Sequence, residues 1–202
     1  MKQLLRDAAA GAALSCLLLA GFPTDARADV RDDLHAAYAK MLGSRFVTET
    51  VATDQKGRQT RSRAEFDTIQ RIRVSTDSGG FVILPEGTWM RSGTDGAWSK
   101  PPFDLGGMLG NLLPQSLDEM RAGTKNIRDE GMRSVDGVSL RAISYDVDTR
   151  IMGISVSSQT VAFIDSDGRI VRSESDGVAM GRKTRSVQTT RYDDSIRVSA
   201  PD

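Results

Sequence analysis

The chain carries one histidine, His35, and one cysteine, Cys16, and these two residues bound most of the chemistry open to it. Any nucleophile relayed through imidazole would have to pass through His35. That residue follows Leu34 on a stretch with helical spacing and reads as a surface or boundary histidine. Zinc draws about four ligands from His, Cys and carboxylates, and one histidine leaves too little to build from, so neither a transition metal nor a cofactor is expected. Asp165-Ser166-Asp167-Gly168 opens like a calcium loop. The residue that should close an EF-hand is Asp176 instead of glutamate, and Ile170-Val171 resumes strand character at once, so a hairpin turn explains the segment better. Gly106-Gly107-Met108-Leu109-Gly110 has no following Lys-Ser/Thr and fails as a phosphate cradle. The carboxylate neighbours Asp129-Glu130 and Asp193-Asp194 could serve a hydrolase only if one were desolvated. Adjacent strand residues point to opposite faces, so turn or edge solvation is expected for both pairs. No catalytic constellation emerges, and the chain reads as a non-enzyme.

The elements that surround these residues begin with an export signal. Lys2 and Arg6 precede an almost unbroken apolar run from Ala8 to Gly21, followed by Pro23 and the small-residue pattern Ala26-Arg27-Ala28. Such a run makes about 21 Å of helix at about 1.5 Å per residue, shorter than the roughly 20 residues a membrane span needs. The segment 1–28 is therefore expected to be a signal peptide cleaved after Ala28, leaving 29–202 as one periplasmic domain. Cys16 lies within the apolar run, where Leu17-Leu18-Leu19 continues past it, and reads as an ordinary apolar position of the signal, not a lipid-attachment site. Cleavage removes Lys2, Arg6 and Arg27 with Asp7 and Asp25 from 27 basic and 27 acidic residues, so the mature chain stays within one charge of neutrality. A surface so balanced offers no clustered basic field for nucleic acid.

Behind the signal, Val30, Leu34, Ala37, Tyr38, Met41 and Leu42 recur at helical spacing, with Asp29, Asp32 and Asp33 at the start and Gly43 at the end. From Phe46 onward the pattern becomes β-branched, alternating and punctuated by Lys56-Gly57, Ser78-Gly79-Gly80, Pro85-Glu86-Gly87 and Asp95-Gly96, which predicts antiparallel hairpins. Hairpin signals resume at Asp136-Gly137, Asp165 to Gly168 and Asp176-Gly177, giving on the order of eight to eleven strands. Phe81-Val82-Ile83-Leu84 is apolar on both faces and is expected to sit centrally, covered on both sides. Between Pro101-Pro102 and Pro114 the strand pattern stops, and Leu105, Met108, Leu109, Leu112 and Leu113 fall at helical offsets. Three glycines there, each costing about 1 kcal/mol in a helix interior, suit a loosely held lid or a plug over the open side of the sheet. A short helical piece follows at Leu117, Met120 and Arg121. The fold class is α+β.

This order of elements resembles the LolA/LolB superfamily of periplasmic lipoprotein carriers and lipid-binding proteins over about residues 29–201. The local echoes are Thr88-Trp89-Met90-Arg91 with Gly96-Ala97-Trp98-Ser99-Lys100, then Gly131 with Val135-Asp136-Gly137-Val138, and Tyr192-Asp193 with Ile196 to Pro201. The resemblance implies a strongly curved sheet, an incomplete β-barrel, whose apolar cavity is covered by the N-terminal helix and a central helical lid. It implies acyl chains, lipoproteins or another apolar ligand as the cargo of a monomer, with a membrane-bound partner protein as a further option. The candidate lining is Phe66, Ile72, Val74, Phe81, Ile83, Met90, Met152, Ile154, Val156 and Phe163, with Met108, Leu109, Leu112 and Leu113 from the lid. The chain departs from the family pattern between Asp67 and Val74, where a proline is absent, and Arg61, Arg63 and Arg91 qualify equally as a lid-locking arginine. The competing reading is an RseB-like sensor or interaction module on the same scaffold, without transport.

Overall fold

The computed structural model describes residues 29–101, 117–151, 154–179 and 181–201. The expected signal and its cleavage site, the apolar stretch from Leu105 to Leu113, and Met152 lie outside them. Helix α1 (Val30–Leu42) starts where the Asp29 carboxylate accepts a hydrogen bond from the Arg31 N–H at 3.1 Å. Asp32 and Asp33 occupy its positive first turn, Lys40 its negative last turn, and the Gly43 N–H closes it on the Ala39 carbonyl. These bounds agree with the helical spacing. None of the described helices is long and apolar enough to cross a membrane.

Five strands follow: β1 (Phe46–Asp54), β2 (Gln59–Thr68), β3 (Arg71–Thr76), β4 (Gly79–Leu84) and β5 (Gly87–Ser92). The short helix α2 (Leu117–Gly123) leads into β6 (Thr124–Val135), β7 (Val138–Ile151), β8 (Ile154–Ile164), β9 (Ile170–Ala179) and β10 (Arg182–Tyr192). All ten form a single antiparallel sheet in the order β5-β4-β3-β2-β1-β10-β9-β8-β7-β6. The chain thus makes two meanders of five strands, joined where β1 pairs with β10, from Phe46 opposite Tyr192 to Asp54 opposite Thr184. The outermost strands, β5 and β6, do not pair with each other, so the sheet is an open, curved half-barrel and not a closed one.

Both free edges are blunted, as edge strands must be to avoid pairing with another chain. At β5, Met90 and Ser99 exchange two backbone hydrogen bonds of 2.9 Å, which lays the segment after the strand along its outer side. At β6 the ladder is broken by register shifts at Lys125/Arg128 and Asp129/Gly131, where Asn126 and Gly131 take positive φ.

The sheet is packed on both faces. On the inner face, α1 lays Leu34 and Ala37 against Ile143, Tyr145, Ala162, Ile164 and Ile170, while Phe46, Phe66 and Ile72 form a second cluster. Met41 touches both clusters, so one helix spans the seam between the two meanders. The Phe46 and Phe66 rings stack with centroids 4.3 Å apart. On the outer face, Val82 and Leu84 pack with Val198, Trp89, Trp98 and Ile196, and Leu140, Ala142 and Phe163 form a separate patch.

Strand β4 corrects an expectation. It is closely covered on its outer face only, its inner-face Phe81 and Ile83 being half-buried, and it lies second from the edge, not centrally. The outer cover comes from the chain's own tail at Ile196 and Val198, and from Trp98. Glycine makes room there, since a Cβ on Gly80 would sit 2.8 Å from the Val74 carbonyl oxygen and 3.3 Å from the Trp98 ring.

Asp67 fastens this tail. Its carboxylate accepts a hydrogen bond from Arg45 Nε at 2.7 Å and a longer one, 3.4 Å, from the Val198 N–H. The Arg45 hydrogen bond, more than any other contact, holds the Asp67 carboxyl below the usual carboxylate range. A carboxylate whose pKa is depressed by folding stabilises above its unfolded value, about 4, and loses that contribution as pH falls through the folded value. Asp67→Asn is therefore expected to lower the urea midpoint at pH 7 and to converge with the parent protein in strong acid. A gap that stayed constant down to the lowest pH would assign Asp67 a packing role instead.

Candidate functional site

The residues of the two faces are separated by charge. In β10, Lys183, Arg185 and Arg191 alternate with Thr184, Ser186, Gln188 and Thr190. In β2, Arg61, Arg63 and Glu65 alternate with Thr60, Ser62, Ala64 and Phe66. In β9, Arg172, Glu174 and Asp176 alternate with Ser173, Ser175 and Gly177. The register brings the charged sets together on the outer face. There Arg63 reaches Glu49 at 2.9 Å and Glu65 at 3.1 Å, and Glu174 accepts from Arg172 at 2.9 Å and faces Arg185 at 3.5 Å. Exposed pairs of this kind contribute little each, about 0–1 kcal/mol. Their consequence is positional, because they leave the inner face of β1–β5 and β8–β10 without Asp, Glu, Lys or Arg except at the strand ends Asp54 and Arg182, among the described residues.

Two rows of inner-face residues run across the first meander. The upper row, Phe46, Phe66, Ile72 and Ile83, lies in register across β1 to β4. The row below it is Thr48, Ala64, Val74, Phe81 and Met90. Phe66 and Ile72 are buried and hold the core together. Val74, Phe81, Ile83 and Met90 are only half-buried, and they form an apolar strip toward the β5 edge.

Several expected site residues fall elsewhere. Phe163 is buried on the outer face with Leu140 and Ala142, and so belongs to a different surface from Ala162 and Ile164 under α1. The reason is the strand period of two: Phe163 stands one position from Ala162 and so takes the opposite face. Ile154 and Val156 pair with Ile151 and Thr149 in the β7–β8 ladder, while their side chains, with Met152, Met108, Leu109, Leu112 and Leu113, lie outside the described residues. Arg61, Arg63 and Arg91 all take outer-face positions opposite Val51, Glu49 and Gly80, and Arg91 lies over the Trp98 ring at 4.9 Å. None of the three can lock a cover over the inner face.

His35 is a further correction. It is buried, 4 % exposed, where the sequence suggests a surface or boundary position. Helix α2 packs against α1, and His35 Nε2 lies 3.5 Å from the Thr124 hydroxyl where α2 runs into β6. Burial, then the nearby positive charges of Arg121 and Arg31, lowers its pKa, which keeps the ring neutral at pH 7. The contact with Thr124 ties α1 to the first residue of β6. The carboxylate pairs are used for fastening as well: Asp129 and Asp33 both accept from Arg141, at 2.9 and 2.7 Å, tying β6 and α1 to β7. Asp193 accepts from Ser195 and Arg191, whose hydrogen bonds lower its pKa. Asp165 accepts from the N–H groups of Asp167 and Arg169 in the β8–β9 turn, as expected of a hairpin. Among the described residues no three His, Cys, Asp or Glu side chains gather as a metal ion would require.

Sequence reasoning missed the polar residues of the inner face. Tyr38 and Tyr145 share a hydroxyl hydrogen bond of 2.5 Å beneath α1, and Thr160 and Ser175 share one of 2.8 Å. Burial pushes the Tyr145 hydroxyl well above its ordinary pKa, with Tyr38 beside it adding to the shift. Tyr192, pushed up to about 12 chiefly by burial, donates to the Ile170 carbonyl. Between these groups and the apolar strip lie Thr48, Thr50, Gln188 and Thr190 at the β1–β10 seam. The signal that could have found them is the alternation in β10, where every charge beyond the first residue, Arg182, has one parity.

No family model matches this sequence, and no curated protein matches it. Solved structures do. LprF from Mycobacterium bovis superposes with a TM-score of 0.55 at 13% identity, covering 85% of this chain and 96% of its own. The lipoprotein LppX from Mycobacterium tuberculosis gives 0.57 at 10% identity, covering 84% and 98%. This chain shares the open half-barrel fold of these two structures. A LolA superfamily protein from Nitrosomonas europaea covers 73% of this chain and 84% of its own at 8% identity, but its TM-score of 0.29 is too low to add to that assignment. At such identities the likeness fixes the fold and leaves the ligand to be argued from this chain's own residues.

Proposed function

We propose that the chain is a periplasmic carrier or binding protein that holds acyl chains, an acylated protein or a comparable apolar ligand against the inner face of the half-barrel. The observation that carries this reading is the separation of charge across one open sheet: a lattice of ion pairs outside, and inside a face that, over β1–β5 and β8–β10 and among the described residues, is charged only at the strand ends Asp54 and Arg182, and whose apolar strip of Val74, Phe81, Ile83 and Met90 is not fully covered by the core. A chain that needed only a core would gain by covering this strip with α1, yet α1 lies over the upper row and the second meander. Burying apolar ligand surface there returns about 25 cal/mol per Å², so retention needs area and no catalytic group. Met152, Ile154 and Val156 would extend the lining from the other side, and the apolar stretch from Leu105 to Leu113 would serve as its cover. The half-barrel fold shared with LprF and LppX over nearly their whole lengths is consistent with this use.

The test is native mass spectrometry of the mature protein isolated from its own cell envelope, followed by denaturation and organic extraction. A stoichiometric acylated species establishes the carrier reading and names the cargo. A protein that is empty and also ignores added fatty acid and lipopeptide overturns it in favour of an interaction module.

A further inference from the structure

The charges that balance over the whole chain do not balance from one end of the sheet to the other. Strand β1 finishes and β10 begins where Asp54 stands opposite Thr184, so the β1–β2 and β9–β10 hairpins end side by side. These two hairpin ends, residues 54–61 and 176–185, carry Lys56, Arg58, Arg61, Arg182, Lys183 and Arg185 against Asp54 and Asp176, an excess of four positive charges. All six cations are exposed. Asp54 is already taken by Arg58 at 2.6 Å, and Arg185 faces Glu174 at 3.5 Å. Lys56, Arg61, Arg182 and Lys183 have no ion-pair partner among the described residues. In the register, Arg61, Lys183 and Arg185 share the outer face, and opposite Lys183 stands Val178, an apolar side chain 39 % exposed. The neighbouring β3–β4 turn adds one carboxylate, Asp77. The turns and tail at the opposite end are acidic, with Glu86, Asp136, Asp165, Asp167, Asp193 and Asp194 against Arg169 and Arg197.

We infer that the paired ends of the β1–β2 and β9–β10 hairpins are a docking surface for an anionic phospholipid bilayer. Charge complementarity selects the partner, since clustered Lys and Arg side chains are drawn to an anionic lipid surface. The surroundings of the patch separate a bilayer from other polyanions. Neither hairpin end carries an aromatic side chain on which a base could stack, which disfavours single-stranded nucleic acid. Long, unpaired cations spread over two adjacent tips, with the exposed Val178 among them, suit a plane of mobile head groups better than a partner of fixed shape. The inner face also opens at this end. Its core clusters lie toward the other end, under α1 and around Phe46, whereas Ala52, Thr60, Ser62 and Ser186 beside the basic tips are half-buried or exposed. A bilayer seated on the hairpin ends therefore meets the open end of the neutral face. The inference goes beyond the carrier reading and stands on the distribution of charge.

The experiment measures binding of the mature protein to vesicles of phosphatidylcholine alone and of phosphatidylcholine mixed with phosphatidylglycerol. In low salt the mixed vesicles are expected to bind about tenfold or more tightly than the neutral ones. That preference should shrink at about 0.15 M salt, where the Debye length falls to about 8 Å. The pair Arg61→Glu with Lys183→Glu is expected to weaken binding to the mixed vesicles about tenfold or more. Arg133→Glu with Arg169→Glu, the same change of net charge at the acidic end, should stay within about twofold of the parent, because it lies beyond the screening distance. Thermal unfolding reports whether the variants fold, and Arg61→Gln with Lys183→Gln repeats the comparison should the reversals unfold. No preference for phosphatidylglycerol, reversals that bind like the parent, or an equal loss in the control pair overturns the docking surface. A parent that ignores both vesicles but binds polyglutamate through Arg61 and Lys183 also overturns it and assigns the patch to an acidic protein. Uptake of a hydrocarbon dye is read on the same samples. A parent that takes up dye but ignores vesicles loses the docking surface and keeps the carrier reading, and one that docks without taking up dye does the reverse.

Discussion

Phe81→Asp is expected to lower affinity for a hydrocarbon dye or an acyl ligand by about 100-fold or more while the protein stays folded. Phe81 is half-buried in the inner-face row between Val74 and Met90, and among the described residues the inner-face positions around it carry no cation to pair a new carboxylate. A hundredfold loss corresponds to about 2.8 kcal/mol, within reach of burying one uncompensated charge against apolar ligand. Val178→Asp is the matched control, since Val178 is 39% exposed at an outer-face position of β9 and its substitution should leave binding within twofold. Met90→Asp, nearer the sheet edge, repeats the measurement should Phe81→Asp unfold. A folded inner-face variant that binds the dye like the parent would mean that this strip is not the ligand surface.

Leu34→Ala is expected to cost roughly 2–5 kcal/mol, the range for a buried leucine cut to alanine. Leu34 is 0% exposed and is the α1 residue that fills the space between Ile143, Ala162 and Ile170. In a domain of this size the Tm should fall by roughly 2–4 °C for each kcal/mol lost. Because α1 covers the inner face at the seam, the same change should speed release of bound dye. A loss under about 1 kcal/mol would show that the site collapses around the smaller side chain or that α1 adds little to the core.

The extent to which the sequence foretold these features follows the range of the interactions involved. Helix α1 was legible to its ends because its determinants, Asp29, Asp32, Asp33 and Gly43, act within a turn or two of themselves. The hairpin at Asp165 was legible for the same reason. Strand register was not, since it depends on partners far along the chain. The neutrality of one face in β10 could be read from its alternation, but that this face meets Thr48 and the strip at Val74 needs the β1–β10 and β2–β3 ladders. The expectation that Phe163 shares the inward parity of Ile154 and Val156 fails because its position one residue from Ala162 sets it on the other side. The cover on β4 came from Val198, more than a hundred residues downstream, which no local pattern reveals. His35 was misplaced because helical spacing shows the face turned to the sheet and says nothing of a second helix docking beside it.

The seam between β1 and β10 also sets a timetable. Each meander is built from neighbours in sequence and closes short loops, so each can form soon after its residues are free. The seam between them waits for the end of the chain, because Val47 pairs with Arg191 and Phe46 with Tyr192. A protein that crosses a membrane from its N-terminus would therefore emerge with a five-stranded half whose β1 edge, Phe46 to Asp54, stays unpaired until the last strand follows. Unpaired edges of that length invite association with other chains. For this topology the interval between emergence of β1 and arrival of β10 is when the nascent molecule most needs an escort, and a truncation that removes β10 should produce aggregates and not a smaller folded domain.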